Sequence, residues 1–297
     1  MEVVAGRLRR PRRLAAVTVL VVTCSACGAA GVPASPPGSL ASPRLASGSP
    51  APAPPPSQRV AVAVIVMENQ GYDQAAGLPY IHTLASVGAT LTNYRASSHP
   101  SLPNYLALTS GTTWGITDDG YHVLPPQDVG DQLTAAAIPW RAYMEGMGSS
   151  CRANGGGYAV KHDPFAYYGG RCPSSVVPFS ELTTDLSRPA PPRFMWISPN
   201  LCHDMHGCPP AFGDAWLRST VPAILGSPAM SNGVLFITWD EDDGGGGNHV
   251  LTLVLGSKRP LTPAHPYSHP SLLASVQDLL GLPRLPATAG IAAITMQ

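Results

Sequence analysis

The stretch covering residues 233–256, GVLFITWDEDDGGGGNHVLTLVLG, consists of two apolar runs on either side of an acidic, glycine-rich segment. The first run ends at Trp239, and four consecutive acids, Asp240 to Asp243, follow it. Short apolar runs bounded by turn residues are typical of buried strands, so the pattern predicts strand, acidic loop, strand. Carboxylates at the end of a buried strand are hard ligands at the place where α/β proteins bind metals. The alternative is a solvated acidic turn, which gains nothing from four repelling charges.

The N-terminal segment predicts an export signal and a tether. Residues 1–27 carry a basic opening, GRLRRPRR, and then an apolar stretch over 14–22 that is too short to span a membrane as a mature helix. Cys27 is preceded by Ser-Ala and followed by Gly, as in an acylated lipoprotein, so the chain is expected outside the cytoplasm, either secreted or lipid-anchored at the surface. Residues 28–57 are dominated by Pro, Ala, Ser and Gly, which indicates a disordered tether.

The remaining residues, 58–297, are expected to form one domain with a sizeable core. The formal net charge is zero and charged residues make up only 12% of the chain. No basic stripe is present, which argues against nucleic acid as a partner. We expect a monomer that contacts a membrane only through an anchor at Cys27.

Four cysteines remain in that domain: Cys151, Cys172, Cys202 and Cys208. An even number outside the cytoplasm indicates disulfides, and proximity in sequence favours the pairs Cys151/Cys172 and Cys202/Cys208. A zinc site is the rival interpretation, but these four cysteines include no C-x-x-C pair to support it.

Apolar patterns along the domain alternate between the periods of strands and helices. A closing helix follows Ser268, with Pro270 in its first turn and Gly281 beyond its end. This alternation predicts an α/β fold, a three-layer sandwich around a mostly parallel central sheet. The predicted strands cover 59–67, 140–144, 193–197, 234–239 and 250–255, and the other predicted helices cover 79–87, 102–109, 128–136, 179–186 and 215–225.

Polar residues recur where the predicted strands end. Glu68 and Asn69 follow the first strand, and Asp240 and Glu241 follow the strand over 234–239. Since the carboxyl ends of parallel strands lie at one edge of a sheet, these groups are expected to converge on one site. A third cluster follows the strand over 193–197 and contains Asn200, His203, Asp204 and His206.

Ser101 follows His99 and Pro100 at the start of a predicted helix. A serine at this position can be a helix N-cap, but the same helix start can hold a phosphate against the hydroxyl. The chain contains no G-x-S-x-G elbow and no H-E-x-x-H motif, which argues against an esterase triad and a zinc peptidase. A serine near Glu, Asn, Asp and His indicates a nucleophile activated by a metal.

Seven motifs occur in order along the domain: ENQGYD (68–73), HPSLPNYLAL (99–108), KHDPF (161–165), SPNLCHDMH (198–206), GDAWL (213–217), TWDEDDG (238–244) and YSHPSLLASVQDLLGLP (267–283). This series resembles the bacterial phosphoesterase family, which groups secreted acid phosphatases with phospholipases C in the alkaline-phosphatase-like superfamily. Within it, the chain is most similar to the short acid phosphatases that mycobacteria secrete, which act on phosphomonoesters including phosphoinositides. The extra domains of the long phospholipases C are not expected.

The resemblance implies a divalent metal ion and a serine nucleophile, Ser101. Its implied metal ligands are Glu68, Asn69, Ser101, Asp240 and Glu241. It also implies that seven further residues surround the phosphoryl group, each as a second metal ligand, a hydrogen-bond donor or the general acid. These residues are His99, His162, Asn200, Asp204, His206, Asn248 and His269. Oxygen, amide and imidazole ligands without thiolate admit Mg, Mn, Ca or Zn.

Three functional hypotheses follow. The first is a secreted or surface-anchored acid phosphatase that hydrolyses phosphomonoesters through a phosphoserine intermediate. The second is a phospholipase C acting on a phospholipid, and the third is a non-catalytic surface binding protein. Loss of Ser101, Asp240 or Glu241 would mark the third class, and all three residues are present.

Overall fold

The computed structural model describes residues 60–256 and 263–294. The predicted signal, Cys27 and the tether lie outside the described residues, so the boundaries at 27 and 57 stay predictions. Nine strands and seven α-helices are found in the described part. The strands are β1 Val62–Met67, β2 Ala89–Thr90, β3 Tyr94–Arg95, β4 Trp140–Met144, β5 Val176–Pro178, β6 Phe194–Ser198, β7 Val234–Trp239, β8 Thr252–Leu255 and β9 Tyr267–Ser268. The α-helices are α1 Tyr72–Ala76, α2 Pro79–Val87, α3 Ser101–Ser110, α4 Val129–Ala135, α5 Leu182–Leu186, α6 Pro210–Leu225 and α7 His269–Leu280.

Seven strands form one sheet in the order β2-β8-β7-β1-β6-β4-β5. The neighbours from β7 to β5 pair in parallel, whereas β8 is antiparallel to both β7 and β2. The reversal at β8 has a physical cause: a parallel partner needs a crossover, and the loop after Trp239 contains no helix that could make one. The predicted mostly parallel α/β sheet is therefore confirmed.

The central strands β1, β6 and β7 are buried at every residue. Their composition explains this, because uninterrupted β-branched and aromatic runs such as VAVIVM have no polar face to turn toward water. Helices cover the sheet: α3 packs against α7, and α2 packs against α6. Side chains from strands and helices form one hydrophobic core.

Several predicted elements differ in their bounds. Helix α6 begins at Pro210, earlier than the predicted 215, because proline is accepted in the first turn of a helix. The predicted helix over 179–186 starts as a 3-10 turn at Phe179–Glu181 and becomes α-helical only at Leu182. Helix α7 has its proline in the first turn as predicted and ends at Gly281, whose φ of 72° is left-handed.

Four short strands escaped the sequence patterns. β2 and β5 have two and three residues, and β3 and β9 form a separate two-stranded sheet. Elements this short carry no measurable periodicity. Among the described residues, no helix is both long and apolar enough to cross a membrane.

Candidate active site

Backbone hydrogen bonds bring the ends of three central strands together. The amide of Glu68, just after β1, donates to the carbonyl of Asp204 at 2.8 Å. The amide of Asp240, just after β7, donates to Met67 O at 2.9 Å. The polar clusters that follow β1, β6 and β7 therefore lie side by side at one edge of the sheet, as the sequence predicts.

Ser101 lies in the middle of this cluster and is 1% exposed. Its hydroxyl is 3.0 Å from Glu68 Oε2 and 3.3 Å from Glu241 Oε1, both of which can accept its proton. Ser101 is the first residue of α3, and Pro100 occupies the N-cap position. The N-cap interpretation of Ser101 is therefore wrong, because its hydroxyl bonds to two carboxylates instead of to the amides of α3.

His162 lies between two buried carboxylates and stacks on the ring of Tyr105 with a centroid distance of 5.1 Å. Its Nε2 is 3.2 Å from Glu68 Oε1, and its Nδ1 is 3.2 Å from Asp204 Oδ2. Burial would lower the pKa of His162, but the charges of Glu68 and Asp204 outweigh it and raise the pKa to about 9. Burial would likewise raise the pKa of Glu68, yet His162 lowers it to about 2.

The carboxylates of Glu68, Asp240 and Glu241 lie close enough to repel one another. Burial raises the pKa of Asp240 well above its usual range, and the charges of Glu68 and Glu241 raise it further. Two buried oxygens in the cluster, Asp240 Oδ2 and Asn69 Oδ1, have no hydrogen-bond partner. Asn69 is also held at a φ of 51°, an unusual conformation for a residue other than glycine.

These features fit a divalent cation, which would offset the repulsion and engage both unpartnered oxygens. The donors are carboxylate, amide and hydroxyl oxygens, and no thiolate is among them. Within the described part of the chain, however, no three His, Cys, Asp or Glu side chains are arranged to hold a metal by themselves. A metal site here therefore needs the oxygens of Asn69 and Ser101 as well, and it stays a proposal.

His99 joins the segment before α3 to the acidic loop. Its Nδ1 lies 2.7 Å from Glu241 Oε2, and its Nε2 lies 3.3 Å from Asp242 Oδ1. Asp242 in turn accepts backbone N–H groups from Gly244, Gly246 and Asn248, which fold the glycine-rich loop around it. Burial would raise the pKa of Asp242, but these donors outweigh it and lower the pKa.

Two of the residues predicted to bind phosphate or a second metal, Asn200 and Asn248, form hydrogen bonds to neighbouring backbone groups. Asn200 Oδ1 accepts the amides of Cys202 and His203, so it caps the turn after β6. Asn248 Nδ2 donates to Ser98 O at 2.6 Å, and Asn248 Oδ1 accepts the amide of Asp242. Their proposed roles at the phosphoryl group stay predictions.

His269 is fully buried behind the acidic loop. Its Nε2 donates to the carbonyl of Asp240 at 2.7 Å, and its Nδ1 accepts from Tyr94 Oη at 3.0 Å. Burial lowers the pKa of His269 to about 4, which keeps the ring neutral. In this arrangement His269 fixes the backbone of Asp240, and its role toward phosphate stays a prediction.

Lys161 is a charged residue at the site that the sequence analysis missed as a functional group. Its Nζ lies 3.2 Å from Ser101 Oγ, 3.0 Å from Asp119 Oδ2 and 3.5 Å from His206 Nε2. Burial would lower the pKa of Lys161, but Glu68 and Asp119 outweigh it and raise the pKa, so the ammonium stays charged. The only sequence signal was its place beside His162 in the KHDPF motif.

Glu145, after β4, was also missed. Its carboxylate accepts the amide of Asn200 at 3.0 Å and lies 2.9 Å from His203 Nδ1. Trp216 Nε1 donates to the same group at 3.3 Å. Glu145 thus anchors the turn that carries Asp204 and His206, and nothing in its sequence context marks it.

Both predicted disulfides are confirmed. Cys151 pairs with Cys172 and Cys202 pairs with Cys208, so no zinc site uses these sulfurs. The second bridge closes the loop that contains His203, Asp204 and His206. His206 is exposed, while Asp204 is buried and accepts the amide of His206 at 2.7 Å.

The model of the phosphoesterase family matches residues 65–283, which include the central sheet apart from the first three residues of β1 and the whole cluster around Ser101. This chain belongs to the phosphoesterase family. The phosphoesterase is 33% identical over 231 residues to a phosphatidylinositol-3-phosphatase of Mycobacterium tuberculosis, a match that covers 74% of this chain and 77% of the relative. It is 31% identical over 242 residues to an acid phosphatase of Aspergillus fumigatus, covering 74% of this chain but only 54% of the fungal protein.

Solved structures confirm the fold. A protein of the alkaline phosphatase superfamily from Vibrio parahaemolyticus aligns with a TM-score of 0.54 and 15% identity over 79% of this chain and 69% of that one. The C-terminal periplasmic domain of EcEptC from Escherichia coli aligns with a TM-score of 0.53 and 10% identity, covering 81% of this chain and 88% of that domain. The phosphoesterase therefore has an alkaline-phosphatase-like fold. Its family and its phosphatase relatives make it a hydrolase of phosphoric ester bonds.

Proposed function

We propose that this phosphoesterase is a metal-dependent acid phosphatase that hydrolyses phosphomonoesters through a phosphoserine intermediate. One observation supports it above the others: the buried hydroxyl of Ser101 lies within 3.3 Å of two carboxylates and of a lysine ammonium. The carboxylates can accept the serine proton, and the ammonium can bind the anionic group that the serine attacks. The acid phosphatase and phosphatidylinositol phosphatase relatives support the same reaction.

The metal would be held by Glu68, Asn69, Ser101, Asp240 and Glu241. A divalent ion bound there would lower the pKa of the serine hydroxyl and offset phosphoryl charge. Mg, Mn, Ca and Zn all suit this donor set. His269 and the amide of Asn69, which donates to Asp240 Oδ1 at 3.2 Å, hold Asp240 in place for this role.

The protein side of the reaction uses Ser101, Lys161 and His206. Ser101 Oγ attacks phosphorus in line, and its proton passes to Glu68 or Glu241. Lys161, positioned by Asp119, stabilises the charge on the phosphoryl oxygens. His206 is the exposed imidazole next to Lys161, so it is the better placed histidine to protonate the leaving alcohol oxygen, whereas His162 is enclosed between Glu68 and Asp204.

We also propose that the protein works outside the cytoplasm, secreted or anchored through Cys27. The two disulfides are compatible with an oxidising compartment. Phosphoinositides are proposed substrates because the mycobacterial relative is a phosphatidylinositol-3-phosphatase.

The decisive experiment is a substrate panel with and without chelator. p-Nitrophenyl phosphate, inositol phosphates and dioctanoyl phosphatidylinositol 3-phosphate should release phosphate, and removal of the metal should stop the release. Formation of diacylglycerol and phosphocholine from phosphatidylcholine would instead support a phospholipase C. If the metal-replete protein hydrolyses none of these, the non-catalytic hypothesis replaces the proposal.

A further inference from the structure

A cavity of about 820 Å³ opens beside the catalytic cluster. Lys161 and His206 form part of its wall, and Lys161 Nζ lies 3.2 Å from Ser101 Oγ, so the cavity adjoins the cluster around Ser101. Tyr121, Tyr158 and Tyr167 line it elsewhere. A phosphate group alone needs only a small part of this volume, and pockets of this size accommodate whole organic ligands. The cavity therefore has room for the alcohol part of an ester whose phosphoryl group lies at Ser101.

The wall of this cavity carries a second cation, Arg152. Its neighbour Cys151 is fixed by the disulfide to Cys172, and Tyr158 Oη lies 2.7 Å from Cys151 O. The guanidinium itself donates from Nη1 to Gly170 O at 3.0 Å. The disulfide and the Tyr158 hydrogen bond thus fix the backbone next to this exposed arginine, and one hydrogen bond orients its guanidinium.

The two cations of the wall differ in their partners. Lys161 forms an ion pair with Asp119 at 3.0 Å. Among residues 60–256 and 263–294, no carboxylate lies within ion-pair distance of Arg152, whose hydrogen bond goes to a backbone carbonyl. Asp119 is the only acid on the described wall of the cavity, and Lys161 already engages it. The charge of Arg152 is therefore available to an anion inside the cavity.

We infer that Arg152 determines specificity by binding a second phosphate, one carried by the alcohol part of the substrate. Guanidinium is the side chain whose planar donors match phosphate oxygens. The inference rests on the proposed phosphomonoesterase activity and names its preferred substrates: esters whose leaving alcohol carries another phosphate. Two kinds of compound have this chemistry. One is a soluble sugar or polyol that carries two phosphates, and the other is a phosphoinositide headgroup, whose phosphodiester is the second phosphate.

The test compares two soluble substrates, inositol 3-phosphate and glycerophosphoinositol 3-phosphate, which differ by a phosphodiester and the uncharged glycerol attached to it. The second phosphate of the latter is a diester, so a monoesterase cannot remove it. We expect the wild-type protein to favour the diester-bearing compound in kcat/KM by about tenfold or more, as a charged hydrogen bond can provide. In Arg152→Gln this ratio should fall to about one.

Two further variants control the result. Arg152→Lys keeps the charge but not the planar fork, so its ratio should lie between those of wild type and Arg152→Gln. Arg218→Gln removes an exposed arginine of α6 that pairs with Asp214 and does not line the cavity, so its ratio should equal that of wild type. Circular dichroism and a thiol count establish folding, and if Arg152→Gln does not fold, the ratio of Arg152→Lys decides.

Dioctanoyl phosphatidylinositol 3-phosphate below its micelle concentration distinguishes a soluble phosphate compound from a lipid headgroup as the substrate. If the soluble pair shows the preference that depends on Arg152, the headgroup phosphates are sufficient for recognition. If Arg152→Gln lowers kcat/KM only for the lipid, the acyl chains are required as well. A ratio that is the same in wild type and Arg152→Gln for every substrate overturns the inference while leaving the proposed function intact. Absence of any phosphomonoester hydrolysis by the wild-type protein, including p-nitrophenyl phosphate, overturns the proposed function and this inference together.

Discussion

Lys161 Nζ lies 3.2 Å from Ser101 Oγ, although the two residues are 60 positions apart in the chain. The same ammonium contacts Asp119, which also accepts the amide of Leu102 in the first turn of α3. Asp119 therefore positions both the lysine and the helix that begins with Ser101. A phosphoryl group attached to Ser101 would lie within reach of this ammonium.

Ser101→Ala should abolish hydrolysis and preserve the fold. The hydroxyl bonds to Glu68 and Glu241 rather than to the helix backbone, so its loss should change stability by only about 1 kcal/mol. Phosphate release should fall by orders of magnitude. Ser97→Ala, at an exposed serine four residues earlier, is the matched control and should keep full activity. Activity of Ser101→Ala within about tenfold of wild type would remove Ser101 from the mechanism.

Asp240→Asn should lose both bound metal and turnover. Asp240 is fully buried beside Glu68 and Glu241, and its Oδ2 has no hydrogen-bond partner. The metal content measured by elemental analysis and the activity should decline together. Asp243→Asn is the control, because Asp243 belongs to the same acidic run but is exposed and accepts from Gln74 instead. Full turnover by wild-type protein shown to be free of metal would contradict the metal proposal.

Replacement of Lys161 by an uncharged residue should weaken catalysis because the positive charge of the ammonium is lost. Lys161→Met should lower kcat/KM by on the order of 10²-fold, because the phosphoryl oxygens lose a fixed cation. Lys161→Arg should recover part of that loss, since it restores the charge with a different shape. Steady-state kinetics on p-nitrophenyl phosphate measure both. Equal activity of Lys161→Met and wild type would show that the contact with Ser101 has no catalytic role.

Reduction of the disulfides should lower activity at temperatures where the fold survives. The Cys202/Cys208 bridge joins two residues with a sequence separation of 6, so its contribution to stability is modest. It fixes the loop that carries Asp204 and His206. The Cys151/Cys172 bridge spans 21 positions, and its loop-closure entropy contributes roughly 3 kcal/mol. Separate Cys→Ser double variants should therefore differ, the first losing mainly activity and the second mainly thermal stability. Mass mapping that finds free thiols in the native protein would contradict the pairing.

Asp128 should make stability depend on pH. It is buried at the N-cap of α4, and burial, followed by the charge of Asp131, raises its pKa from 3.8 to about 7. A raised carboxyl pKa means that the folded state binds the proton more tightly than the unfolded state. The stabilisation from the protonated group is therefore complete below pH 4 and is lost as the pH rises toward 7.

Asp128→Asn keeps an N-cap acceptor and removes this titration. The free energy of unfolding of Asp128→Asn minus that of wild type should increase by a few kcal/mol from pH 4 to pH 7, as measured by urea unfolding. Asp243→Asn, at an exposed position, should show no such trend. A difference between Asp128→Asn and wild type that is constant across this range would mean that Asp128 does not titrate there.

Much of the fold could be predicted because its signals are local. The bounds of β4, β7 and α2 equal the predicted ranges, since each is a continuous apolar or periodic run ended by a turn residue. The convergence of Glu68, Asp204 and Asp240 followed from a general property of parallel sheets. The short strands were missed because they depend on tertiary pairing rather than on a pattern. The start of α6 was missed because a proline, Pro210, occupies its first turn.

The chemistry of individual polar side chains was less predictable. Asn200 and Asn248 have the residue types expected at a phosphate site, yet both bond to nearby backbone groups. Glu145 lies in no motif that separates it from a surface charge, and Lys161 is marked only by its place beside His162 in KHDPF. Side-chain partners depend on distances of a few ångströms between segments that are far apart in the chain, and a linear pattern does not contain these distances.

The sequence by itself determined the family through its motifs. Local composition and spacing determined the five longer strands, most of the helices, the two disulfide pairs and the place of Ser101 at the start of α3. Only the tertiary structure decided that Ser101 bonds to Glu68 and Lys161, that His269 faces the backbone of Asp240, and that Arg152 lines a cavity without an acidic partner in the described part of the chain. The physical reason is that hydrogen bonds and ion pairs act over about 3–4 Å, and packing of the whole sheet and its helices sets which groups come that close.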